Sequence, residues 1–154
     1  MGLLGLYLRV APANLDFPGI FRDVCRDNQA AYEFCSALLV WVHLIDDVID
    51  GDKPLNDPEV VIRANLEAAT VFAFNPFWQE HKKSLLPLIL QGVKAFADSN
   101  EWAKRPDFRD RASSDVLKAQ YQEVFWHVAF LVGGFDHLDA VTRKYRHYHY
   151  DVTA

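Results

Sequence analysis

The stretch HLIDDVIDGD, residues 43–52, sets four carboxylates, Asp46, Asp47, Asp50 and Asp52, within seven positions at the end of the apolar run FCSALLVWV. On a helix Asp46 and Asp50 lie one turn apart, and so do His43 and Asp47. Carboxylates crowded away from bulk water stay ionised only when something positive compensates them. Hard divalent cations do so, and Mg²⁺ takes carboxylate oxygens while keeping part of its water shell. The chemistry these residues offer is therefore Mg²⁺ or Mn²⁺ binding by Asp46, Asp47 and Asp50, with His43 beside them. Acids at a helix C-terminus also oppose the dipole. That weighs against the plainer alternative, in which the last turn runs past the core into solvent.

A second set lies near residues 115–132. Gln120, Glu123 and His127 share one stripe of a segment that is otherwise nearly all apolar, from Leu117 to Val132. Glu123 joins the acids as a metal ligand if the two stripes face each other. Otherwise Glu123 and His127 form a buried hydrogen-bonded pair.

The elements that must carry these residues read as helices separated by caps and breakers. Asp16-Phe17-Pro18 opens a short helix to about Arg26. Asp27 or Asn28 caps a long helix that ends at Gly51 and Pro54. Phe34, Leu38, Trp41, Val42, Leu44, Ile45, Val48 and Ile49 cover most of its circumference, which predicts a central position. Asp57-Pro58-Glu59 starts a helix to about Phe74, and Asn75-Pro76 repeats the signal: a capping side chain, then proline in the first turn. Pro87 kinks or restarts that helix, which ends near Ser99. Pro106-Asp107 begins a further stretch, with a break at Ser113-Ser114, running to Gly133-Gly134. A last helix covers about Phe135 to Tyr150. The expected fold is all-α, an antiparallel bundle of six to seven helices forming a single domain over residues 1–154.

The bulk numbers narrow the function. The 154 residues are 51% apolar and 24% charged, a globular composition. The net charge of −5 and the lack of a basic stripe exclude a nucleic-acid partner. The apolar runs are too short to span a bilayer, and MGLLGLYLRVAP has no basic region before it, so neither a membrane span nor a signal peptide is expected. The two cysteines, Cys25 and Cys35, form no ligand pattern and fit buried thiols in a reducing, cytoplasmic setting.

DDVID at 46–50 is a DDxxD motif, and ALLVWVHLIDDVIDGD resembles the aspartate-rich helix of class I isoprenoid synthases, the prenyl diphosphate and terpene synthases. The resemblance implies an isoprenoid-synthase-like bundle in which Asp46, Asp47 and Asp50 bind Mg²⁺ (or Mn²⁺) and the metal bridges them to a substrate diphosphate. It also implies a second motif. Asp115, Ala119 and Glu123 have the terpene-synthase spacing i, i+4, i+8, with alanine at the middle ligand. GGFDHLDAV supplies Asp136 and Asp139 as a degenerate second aspartate-rich motif, with Phe135 at the first position. Asp136, Asp139, Arg143 and His147 equally fit a solvated, salt-bridged helix face.

The function expected is thus a metal-dependent enzyme acting on, or binding, a small-molecule diphosphate, with Lys118 or Arg143 as the basic group that holds it. A homodimer would complete the cavity of so short a bundle. Two alternatives stand beside this one. The first is an all-α NTP pyrophosphohydrolase-like enzyme, which uses Mg²⁺ on paired helices but with a glutamate-rich pattern. The second is a non-catalytic helical interaction protein, for which the tyrosine- and histidine-rich tail RKYRHYHYDVTA is the supporting feature.

Overall fold

A computed structural model of the chain describes residues 16–51 and 57–146, and these form helices joined by short turns, with no strand. The signal-peptide reading of residues 1–15, Asp52 and the tail from His147 lie outside the described residues, as does the side chain of Asp50. The helices are α1 (Phe17–Cys25), α2 (Gln29–Asp50), α3 (Pro58–Phe74), α4 (Pro76–Ala103), α5 (Phe108–Lys118) and α6 (Gln122–Tyr145), with a 3₁₀ turn at Ala119–Tyr121 between the last two. They divide into two compact units whose boundary falls inside α4, between Glu80 and His81. No helix among the described residues is long and apolar enough to cross a membrane.

The starts follow the capping chemistry. Asp16 accepts from the Gly19 N–H at 3.0 Å, Asn28 from Ala31 at 2.9 Å, Asp57 from Glu59 at 3.0 Å and Asp107 from Arg109 at 2.7 Å. Each bond satisfies a first-turn donor that the helix itself leaves open. Gly51 ends α2 with φ 71°, ψ 29°, its N–H donating to the Asp47 carbonyl. That left-handed cap is a conformation glycine takes without steric cost.

In the first unit α1 folds back antiparallel on α2, with Cys25 beside Cys35 and the Phe17 ring edge-on to His43. The core is aromatic. Phe34 stacks on Trp78 with centroids 5.7 Å apart, and Phe72 meets Trp78 edge-on at 4.9 Å. Asn75 locks the corner between α3 and α4. Its Oδ1 accepts from the Trp78 N–H at 2.9 Å, and its Nδ2 donates to the Ala30 carbonyl of α2 at 2.9 Å. Trp41, which the all-round apolar pattern places in the core, is only half-buried and touches Phe72 edge-on.

The second unit departs further from the sequence pattern. Pro87 does not end its helix: α4 continues to Ala103. Pro87 is exposed, so the carbonyl its ring frees can turn to water. The serine pair does not break α5 either. Ser114 is buried and donates to the Ser99 carbonyl at 2.7 Å, tying α5 to α4. The interruption comes at the 3₁₀ turn instead. There Gly92 of α4 comes so close that a Cβ on it would sit 3.0 Å from the Tyr121 Cα. At Gly133-Gly134 the sequence reading holds: Gly134, at φ 77°, ψ −171°, is non-helical, and α6 is two helical segments meeting there across a kink.

Candidate functional site

Along the last two turns of α2, Leu44 is buried, Ile45, Asp46 and Asp47 are half-buried, and Val48 and Ile49 are 59% and 50% exposed. The acids are therefore more sheltered than the branched apolar residues that follow them. A helix end that merely runs into water does the reverse, because carboxylates are costly to shelter and aliphatic side chains are not. One Asp46 oxygen, Oδ1, is closed off from solvent. His43, one turn earlier, is half-buried, with the Phe17 ring of α1 edge-on to it.

Among the described residues no group of three or more His, Cys, Asp or Glu side chains comes together to hold a metal. The described donors at this turn are the adjacent carboxylates of Asp46 and Asp47. Asp50 follows Asp46 by one helical turn along α2. Two or three carboxylates of this kind suit Mg²⁺, which binds through one or two acids together with substrate phosphates. They do not suit zinc, whose sites are closed by nitrogen and sulfur ligands.

The remaining candidates belong to the second unit. Glu123 does not bond to His127. Its carboxylate is engaged by the Arg146 guanidinium, 23 positions on. His127 instead stacks on Phe130 at 5.9 Å, and its buried Nε2 makes no hydrogen bond among the described residues. Burial, and then the nearby His81, hold the His127 imidazole below the usual histidine pKa. His81 is itself half-buried.

Asp115 and Glu123 lie on different helices, α5 and α6, with the 3₁₀ turn between them. The continuous helical face that the i, i+4, i+8 spacing presumes is therefore interrupted. Asp139 pairs with Arg143 at 2.8 Å on an exposed face, and Asp136 is exposed nearby. This is the solvated, salt-bridged arrangement the pattern allowed. Arg143 is thus committed to a carboxylate, and Lys118 lies over the Phe96 ring at 5.7 Å.

Sequence reasoning did not find the partnership of Glu123 with Arg146 or the meeting of Cys25 and Cys35. Both depend on tertiary geometry that no local spacing encodes. No family model matches the chain, and no curated protein or solved structure matches it.

Proposed function

We propose that the C-terminal turn of α2 is a Mg²⁺ (or Mn²⁺) site serving a diphosphate ligand, with Asp46, Asp47 and Asp50 as the metal-binding acids. The observation that carries this is the inverted exposure of the turn, with Asp46 and Asp47 half-buried and Val48 and Ile49 exposed. When bound, Mg²⁺ supplies Lewis-acid polarisation and a template for diphosphate oxygens. The chain's own part is to present adjacent carboxylates at the end of a helix closed by the Gly51 cap, one turn beyond the contact of His43 with Phe17 of α1. Val48 and Ile49 add apolar surface beside the anionic turn, which suits an amphiphilic diphosphate with a hydrocarbon body. The DDxxD motif supports the same ligand class, and an isoprenoid-synthase-like bundle of six to seven helices belongs to this proposal. Glu123 is left out of the metal set, because Arg146 already neutralises it.

So small a set of carboxylates predicts metal binding that depends on the phosphate ligand. Mn²⁺ binding, followed by loss of the free-ion paramagnetic resonance signal, should be weak alone and strengthen with pyrophosphate. Asp46→Asn with Asp47→Asn should abolish the strengthened binding while the helical circular dichroism stays. Undiminished binding by that double variant would refute the assignment.

A further inference from the structure

Cys25 and Cys35 sit ten positions apart in sequence, yet their sulfurs approach to 3.8 Å. Both residues are 0% exposed, and both thiols are free. The turn between α1 and α2 brings them together. Arg26 takes φ 51°, ψ −129°, the Asn28 N–H donates to the Cys25 carbonyl at 3.0 Å, and the Asn28 side chain caps α2. At the other end of α1, the Phe17 ring rests on His43. The helical hairpin is thus anchored on both sides of the sulfur contact. A disulfide needs an S–S separation near 2.05 Å. From 3.8 Å, the two sulfurs have less than about 2 Å left to close.

We propose that Cys25 and Cys35 are a redox couple, and that a low-molecular-weight disulfide oxidant converts them reversibly to a disulfide stapling α1 to α2. In the closed fold the pair is protected: burial, with Cys25 adding to it, pushes the Cys35 thiol well above its ordinary pKa. Reaction proceeds when α1, only nine residues long, lifts from α2. One exposed thiol then loses its proton to solvent, and its thiolate attacks a sulfur of the oxidant. The oxidant's S–S bond breaks, a mixed disulfide forms and one small thiolate leaves. The second cysteine thiolate attacks the protein sulfur of that mixed disulfide and expels the second small thiolate. The chain loses two protons and two electrons, and the oxidant takes them up to become two thiols. When α1 recloses, the new bond lies in the dry core, reached by reductant only through the same opening.

The test uses the full, reduced chain equilibrated in buffers of reduced and oxidised glutathione, once native and once in concentrated guanidinium. Thiols are trapped by alkylation and products are weighed. The native chain should yield a monomer lighter by two hydrogens. Its equilibrium constant should exceed that of the unfolded chain on the order of 100-fold, the factor by which closing a short loop favours the folded state. A native constant equal to or below the unfolded one would overturn the proposal. So would a native product that is a glutathione adduct or a disulfide-linked dimer.

Discussion

Asn75 gives the sharpest test of how the first unit is held together. It is a buried polar side chain with both of its polar ends in use, one on the Trp78 N–H and one on the Ala30 carbonyl, each at 2.9 Å. Asn75→Ala removes the N-cap of α4, worth about 1 kcal/mol. It also removes the bond to α2, worth about another 1 kcal/mol. The sum, about 2 kcal/mol, corresponds to roughly a 30-fold fall in the protection of amides that exchange by opening of this unit. Asn75→Ser keeps a capping oxygen but cannot reach Ala30, so it should lose about half, roughly fivefold in protection. Hydrogen exchange read on peptides from α2 and α3 is the suitable assay, because it resolves this unit from the one beyond Glu80. A global melt would average two compact units whose unfolding need not be one transition. If Asn75→Ala left α2 and α3 protection unchanged, or affected only the first turn of α4, the corner would be held by Phe34, Phe72 and Trp78 alone. The bond to Ala30 would then contribute nothing.

Two further outcomes follow from the second unit. Gly92→Ala should destabilise by about 1–3 kcal/mol, because its Cβ would press on the Tyr121 backbone, not on a flexible side-chain end; a urea midpoint unchanged from wild type would contradict the close approach. His127 has a folded pKa below its unfolded value, so the unfolded chain binds the extra proton more readily. Stability should therefore be full above the unfolded histidine pKa and decline as pH falls through the lower folded pKa. His127→Phe should flatten that part of a stability-versus-pH curve, and an unchanged slope would show that the imidazole is not sheltered.

Much of the helical frame was legible because helix ends are local chemistry. Asp16, Asn28, Asp57, Asn75 and Asp107 cap first turns, and Gly51 takes the left-handed φ that closes α2. Signals that depend on surroundings misled. Ser113-Ser114 reads as a breaker, yet Ser114 satisfies its hydroxyl on the Ser99 carbonyl and stays helical. Pro87 reads as a kink or a restart, and of the two the restart is excluded, since the proline faces solvent inside a continuous helix. Trp41 reads as core because its helix is apolar all round, but residue type does not say which side a neighbouring helix covers. The acid turn was legible as a cluster at the end of an apolar helix. Its degree of shelter was not, since that depends on tertiary packing that the local spacing does not encode. The Glu123–His127 pair failed for a similar reason: Arg146, far along the chain, supplies a full positive charge that a neutral imidazole cannot match.

If Asp46 and Asp47 hold a cation and its phosphate ligand, the two together should stabilise the folded chain. The most direct measurement is the melting temperature of the chain with Mg²⁺ or Mn²⁺, each with and without pyrophosphate, beside the Asp46→Asn, Asp47→Asn variant. A ligand that binds only the folded state raises the melting temperature by mass action. Metal alone should give a small rise, metal and pyrophosphate together a larger one, and the variant neither. No rise at millimolar metal and pyrophosphate, or an equal rise in the variant, would contradict the assignment and make the turn a helix end without a cation.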